Sequence, residues 1–405
     1  MNPRLGQLHD YPFERLGKLL AGVEPPAALA PISLALGEPQ HAAPTFVVQS
    51  LQRHLHQLTR YPTTTGLPAL REAIAQWLQA RFELTAVDPE RHVLPVCGTR
   101  EGLYSCLHAT LDSSAGKHPT VVVPNPGYQI YEGATLLAGA RPWYLALEED
   151  DGWAVNLDRV PEHVWRDCQL LVLCTPGNPT GAVADLATLR HAIELAHRHD
   201  FVVFSDECYS ELYLDESAPP AGLLAAATSL GEDTFARCAV FHSLSKRSNL
   251  PGLRSGFVAG DARLMSAFRR YRTYHGCAMP LPTQHASIAA WGDEAHVREN
   301  RAAYREKFAL ARAHLPAAFD AAIPPASFYL WARPPIDAER FAREAWARQA
   351  LKLLPGAYMA RRDDSSGRIP GADRVRISLV PTVEACTQAL QRLRALLDAL
   401  APVTP

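Results

Sequence analysis

The 405-residue sequence predicts an α/β fold: a large, mostly parallel sheet with helices on both faces, joined to a smaller α+β domain. Three features carry that expectation. Short apolar runs alternate with helical patterns through the middle of the chain. The runs are almost continuously apolar, as strands covered on both faces require. After about residue 285 the texture changes.

Taken in order, GLPALREAIAQWLQARF (66–82) places Leu70, Ile74, Trp77 and Leu78 on one helical face. PTVVVP (119–124), LLVLCTP (170–176), FVVFSD (201–206), CAVFHS (238–243) and SGFVAGD (255–261) read as buried strands bounded by turn residues. Between the second and third of these, DLATLRHAIELAHRHD (185–200) aligns Leu186, Leu189, Ile193 and Ala196 along one face. A long Ala-, Arg- and Glu-rich helical stretch, roughly 284–320, leads to the strand-like ASFYLWARP (326–334). The helical DAERFAREAWARQAL, the strand RVRISLV (374–380) and a last helix near 384–400 follow, with RRDDSSGRIPGAD (361–373) as a surface loop. The expected division is an N-terminal segment, 1–45, packing with the small domain; a large domain, 46–285; and a small C-terminal α+β domain, 286–405.

Composition excludes several function classes. A hydrophobic content of 47% with 20% charged residues is ordinary for a globular chain. The formal charge of −2 gives no electrostatic ground for binding nucleic acid or an acidic membrane. No segment offers the roughly 18 apolar residues of a membrane span, and the N-terminus lacks an apolar signal core. Eight cysteines show no CxxC pair and sixteen histidines no HExxH, so reduced thiols, no metal and a cytoplasmic location are expected.

In FHSLSKRSNLPGLRSGF (241–257) an apolar strand runs into a turn holding Ser243, Ser245 and Lys246, with Arg254 beyond a Pro-Gly turn. A lysine after a strand is ordinarily a solvated charge. Two hydroxyls and an arginine suit a phosphate, which arginine binds bidentately, and a neutral lysine amine attacks carbonyls. The pattern S-x-S-K-x7-R-x-G resembles the cofactor-lysine signature of the class I (fold-type I) pyridoxal-phosphate-dependent aminotransferases. Ser255 departs from it, standing where that family has an aliphatic residue.

Other segments carry the resemblance. FVVFSDECYS puts Asp206 at a strand end, where open sheets place ligands. The resemblance makes it the carboxylate for the cofactor's pyridine nitrogen, although an isolated Asp206 would serve equally as a helix N-cap. Tyr209 and, in TPGNPTG (175–181), Asn178 match the partners of the phenolic oxygen. In VCGTREGLYS (96–105), Gly98, Thr99 and Arg100 open a helix whose free N–H groups favour a phosphate, matching the family's G-[ST]-x-x. PNPGYQIYEG (124–133) supplies Tyr128, matching the aromatic stacked on the ring, where a core tyrosine is the alternative. RYPTTTGLPALREAIA (60–75) resembles Y-x4-G-x3-LR-x-A-I-A. The tyrosine of that motif, here Tyr61, reaches the phosphate of the neighbouring subunit, implying a homodimer with shared sites. RVRISLV contains Arg376, matching the clamp on the substrate α-carboxylate; an outward-facing arginine on an alternating strand is the other reading. ISLALGEPQHAAP (32–44) resembles L-x-x-G-E-P, which turns the Gly37 backbone toward the same carboxylate.

The resemblance implies ping-pong amino transfer between amino acids and 2-oxo acids, with Lys246 first holding the cofactor as an imine and then moving the proton. Segments 11–22, 242–261, 273–291 and 354–361 are similar to the bacterial N-succinyldiaminopimelate branch of the family. That implies glutamate/2-oxoglutarate and N-succinyl-2-amino-6-oxopimelate as the substrate pair, in diaminopimelate and lysine synthesis. Aspartate, aromatic or broad-specificity transamination and β-elimination are the rivals within the class. A distal carboxylate would need a cation, with Arg100, Arg247 and Arg272 as candidates. A cofactor-sensing DNA-binding regulator would call for a domain ahead of Gly37 and a basic surface, so an enzyme is expected.

Overall fold

The computed structural model describes residues 1–85, 87–114, 118–363 and 366–400. Its strands are, in chain order, β1 (Ile32–Ser33), β2 (Val93–Val96), β3 (Thr120–Asn125), β4 (Arg141–Ala146), β5 (Cys168–Cys174), β6 (Val202–Asp206), β7 (Cys238–Ser243), β8 (Gly256–Gly260), β9 (Tyr329–Ala332), β10 (Leu351–Lys352), β11 (Leu354–Pro355) and β12 (Val375–Ser378). Seven of them form one sheet in the order β2-β8-β7-β6-β5-β3-β4. Strand β8 runs antiparallel to both its neighbours, and the other pairings are parallel. The five apolar runs read from the sequence are β3 and β5 to β8. The two strands that no such run announced, β2 and β4, are the sheet's edges. An edge strand tolerates the proline of VLPV and the half-exposed side chains of RPWYLA.

Alternation along the central strands divides the packing between the two faces. Leu171, Leu173 and Val203 pack with Leu70, Ile74, Leu78, Leu189 and Ile193 from the helices Pro68–Phe82 and Leu186–His199. Leu170, Val172 and Phe204 pack with Leu103, Leu107, Tyr131 and Phe268 on the opposite face. A second core lies between the small sheet β11-β12-β9 and the helices Ala338–Gln349 and Val383–Leu400, filled by Phe341, Leu390, Leu393, Leu330 and Ile377.

The N-terminal residues touch both layers. Strand β1 pairs with β10, Ile32 opposite Leu351, and Leu16 packs with Leu354 and Tyr358. Arg4 instead reaches the carbonyl of Leu137 beside the large sheet. The helical stretch read over 284–320 is two helices, Leu281–Trp291 and Ala295–His314, interrupted at Gly292. The first packs Ala286, Ala290 and Trp291 into the large core, and the second sends Phe308 and Ala311 into the second core. In the loop 361–373, positions 364 and 365 lie outside the described residues. Its far end is not a surface feature, because Gly371 is buried against the Trp331 ring.

Leu390 has no exposed surface in the second core. Leu390→Ala should therefore cost about 2–5 kcal/mol, read as a lowered urea midpoint. An unchanged midpoint would mean this helix does not hold the small layer together.

Candidate active site

Because β3, β5, β6 and β7 are parallel, their C-terminal ends share one edge of the sheet, the place where open α/β sheets take ligands. A cavity of about 530 Å³ opens there, walled by residues from the large sheet, the small sheet and the N-terminal segment. Strand β7 ends at Ser243, whose side chain accepts from Ser245 N at 3.1 Å and caps the short turn Leu244–Arg247. That turn delivers Lys246 to the cavity, where its amine donates to the Gly37 carbonyl. Burial pushes the Lys246 amine down to about 8; the charges of Arg376 and Arg100 add to the effect, and Cys208 and Glu38 oppose it.

Asp206, at the end of β6, is buried and accepts from the Tyr131 hydroxyl at 2.7 Å and from Cys208 N at 3.2 Å. Burial raises its pKa against those hydrogen bonds. A buried carboxylate served by neutral donors is a site for a cation. Tyr209 and Tyr329 share a hydrogen bond at 2.9 Å. Arg376, on β12, is 3% exposed, so the outward-facing alternative fails. Its guanidinium lies over the Tyr329 ring at 4.5 Å. It donates to Asn178 Oδ1 at 2.8 Å and to the Ala35 carbonyl. Its Nε has no partner among the described residues.

At the other end of the cavity, Gly98 sits at φ +83°, and a Cβ there would collide with the Arg254 guanidinium. The glycine thus lets Arg254 lie against the start of the helix Thr99–Thr110. Arg254 donates to the carbonyls of Pro251 (2.8 Å) and Cys97 (3.4 Å) and has no carboxylate partner among the described residues. The hydroxyls of Ser243 and Ser245 are 2.9 Å apart, and Thr99 Oγ1 lies 2.9 Å from Cys208 Sγ. Ser255, the departure from the motif, bonds Ser287 at 2.7 Å inside the core. It leaves the cavity unchanged.

Twelve expected residues line this cavity: Gly37, Thr99, Arg100, Tyr128, Asn178, Asp206, Tyr209, Ser243, Ser245, Lys246, Arg254 and Arg376. Gly98 stands behind the wall, and Tyr61 is 100% exposed, away from the cavity of its own chain. Of the three arginines considered for a distal carboxylate, two are already engaged. Arg247 lies buried between Trp77 and Trp291, bonded to the Ala290 carbonyl and Glu294. Arg272 is buried against Glu101 and the Cys277 carbonyl. Arg100 faces the cavity, donating to the hydroxyls of Tyr128 (2.6 Å) and Tyr11 (3.3 Å).

Sequence reasoning missed Tyr131, Tyr329 and Tyr11. Tyr131 had a signal, since it lies in the first turn of the helix Gln129–Leu137, three residues after Tyr128 at its N-cap.

The donor set fits pyridoxal phosphate. Thr99, Ser243, Ser245 and Arg254 offer donors for a phosphate, Asp206 offers an anion for a ring N–H, and Lys246 offers an amine for an aldehyde. Residues 30–393 match the family described as aminotransferase class I and II. An LL-diaminopimelate aminotransferase of Desulforudis audaxviator is 30% identical over 404 residues, covering 97% of each chain. A crystal structure of an aminotransferase from Neisseria meningitidis superposes with a TM-score of 0.93 at 43% identity, covering 98% of this chain and 100% of its own. A probable N-succinyldiaminopimelate aminotransferase from Thermus thermophilus gives 0.81 at 27% identity, covering 95% and 100%. A match that spans nearly the whole chain, over a cavity whose donors fit that cofactor, places the chain in the class I and II aminotransferases, a pyridoxal-phosphate-dependent family.

Proposed function

We propose that this aminotransferase moves an amino group between glutamate/2-oxoglutarate and N-succinyl-2-amino-6-oxopimelate, in diaminopimelate and lysine synthesis. The observation that carries the reading is that, besides the Arg254 read as a phosphate donor, two further arginines, Arg376 and Arg100, line the cavity that Lys246 enters. A substrate with a carboxylate at each end uses both. The diaminopimelate names of relatives at 30% identity favour the same carbon skeleton and support a second reading, the unsuccinylated diacid. We further propose that the two sheets mark two domains and that two copies share their sites. The full exposure of Tyr61 beside exposed Leu58 and Leu55 supports that pairing.

When bound, pyridoxal phosphate supplies a sink for the electron pair left as a proton departs from an amino acid's Cα. The chain's residues do the rest. Asp206 keeps the ring nitrogen protonated, and Thr99, Ser243, Ser245 and Arg254 hold the phosphate, beside the helix start at Gly98. Asn178 accepts from Arg376 with Oδ1, so its Nδ2 is the atom left to donate to the phenolic oxygen, alongside Tyr209. Tyr128 closes one face of the ring. Arg376, braced by Asn178 and the Ala35 carbonyl, clamps the α-carboxylate and so orients the Cα–H bond. Lys246, whose amine is largely neutral above about pH 8, takes the proton from Cα and would pass it to the cofactor carbon that receives the amino group.

Lys246→Ala should abolish amino transfer and the visible band of the bound cofactor, and near-normal turnover would sink the assignment. Arg100→Leu should raise KM about tenfold or more for substrates with a distal carboxylate and leave alanine little changed. Equal losses for both substrates would deny Arg100 its distal role. N-succinyl and free diaminopimelate, assayed side by side, separate the two readings. A lowered lysine pKa means the amine is neutral above it. Capture of pyridoxal phosphate by the apoenzyme should therefore accelerate as pH rises through about 8, and a rise centred near an ordinary lysine's value, about 10.4, would contradict the buried amine.

A further inference from the structure

The backbone that carries Lys246 lacks its own hydrogen-bond partners. The turn Leu244–Arg247 is four residues long. The helical donor for the Lys246 carbonyl would be Leu250 N, which goes instead to the Leu244 carbonyl. The donor for the Arg247 carbonyl would be residue 251, a proline with no N–H. Both carbonyls are left over at a helix end inside the protein.

Asn300, 5% exposed on the helix Ala295–His314, takes both. Its Nδ2 donates to the carbonyls of Lys246 and Arg247, each at 3.2 Å. Its Oδ1 accepts from Asn249 Nδ2 at 2.9 Å and lies 2.9 Å from His41 Nδ1. The two donors and two lone pairs of the amide are all used. A flipped amide would set its oxygen against two carbonyls, so one orientation is possible. It follows that His41 carries its proton on Nδ1.

We infer that Asn300 is a positioning residue for Lys246, the link through which the helix Ala295–His314 sets where the amine points. The contacts close a ring. The lysine amine is bonded to the Gly37 carbonyl, its own carbonyl to Asn300, and Asn300 to His41, four residues along from Gly37. Before the cofactor takes the amine, both ends of one lysine are thereby fixed to the same N-terminal segment; in the loaded enzyme the backbone end stays held through Asn300. The same helix also reaches the small layer, where the Lys307 amine donates to the Leu379 carbonyl at 3.1 Å. A shift of the small layer is felt at the lysine backbone through Asn300. This inference rests on Lys246 being the lysine that holds the cofactor and moves the proton.

The test uses the holoenzyme of Asn300→Leu, which keeps the side chain's volume and removes its four hydrogen bonds. Cofactor content, kcat and KM for glutamate, and the pH midpoint of the visible band are measured. The expected result is full cofactor content with kcat lowered about tenfold or more, KM held within about threefold, and the midpoint moved by about half a pH unit or more. A folded, loaded enzyme with wild-type kcat and midpoint overturns the inference, because a merely structural asparagine would change thermal stability alone. If Asn300→Leu does not fold, Asn300→Asp decides, since it keeps the shape and the oxygen facing Asn249 and His41 and removes the donors to both carbonyls. A fall in kcat with a shifted midpoint supports the inference, and wild-type values overturn it. Lys246→Ala run in parallel separates the two claims: near-normal turnover there sinks the lysine assignment itself, whereas its loss leaves any failure with Asn300.

Discussion

An ammonium group taken out of water and set in a cavity wall with no ion-pair partner gives up its proton more readily than one in solution. That is the condition of Lys246, and the site is arranged around it. The amine is bonded to a backbone carbonyl, Gly37, and not to a carboxylate, and Arg376 and Arg100 add positive charge to the same cavity. A lysine paired with an acid would stay charged and be poor at attacking a carbonyl. The buried acid that is present, Asp206, is held by Tyr131 and Cys208 and is free to answer a cation on a ligand.

The cavity exists because two packing layers and the N-terminal segment meet there. Strand ends of the large sheet bring Asn178, Asp206 and Ser243; the small sheet brings Tyr329 and Arg376; the first forty residues bring Tyr11 and Gly37. The bond from Arg376 to Asn178 crosses from one sheet to the other and joins the proposed carboxylate clamp to a proposed cofactor contact. A change in how the layers sit alters both at once. In this family of enzymes the chemistry depends on the angle between a Cα–H bond and a ring, so such coupling has a direct catalytic meaning.

The fold was legible where burial went with an unbroken apolar run. β5 to β7 read plainly as LLVLC, VVFSD and CAVFHS because parallel strands covered on both faces need apolar residues at every position. The edge strands β2 and β4, one with a proline and one half-exposed, gave no such run. The break at Gly292 was lost inside a continuous helical composition. Within the site, residues that sit in local patterns were found: Lys246 with its serines, Asp206 at a strand end, Arg376 on its strand. What was not legible was pairing across distance. Nothing near Arg247 or Arg272 in the chain reveals that Glu294 and Glu101 already hold them, and nothing near Asn300 reveals two carbonyls fifty residues away. The Asp206 partner Tyr131, and Tyr329 across from Tyr209, likewise come from separate elements.

The chain has five lysines, at 18, 117, 246, 307 and 352. One of them is a physical rival to Lys246. Lys307 is also buried and its amine is also pushed down to about 8 by burial, yet it lies outside the cavity wall, bonded to the Leu379 carbonyl and set over the Tyr304 ring. A lowered pKa alone therefore does not choose between them, and position does. Borohydride reduction of the holoenzyme, followed by peptide mass mapping, records which lysine the cofactor was bound to. Label confined to Lys246 is the result expected from this geometry. Label on Lys307, or on any lysine outside the cavity, would contradict it.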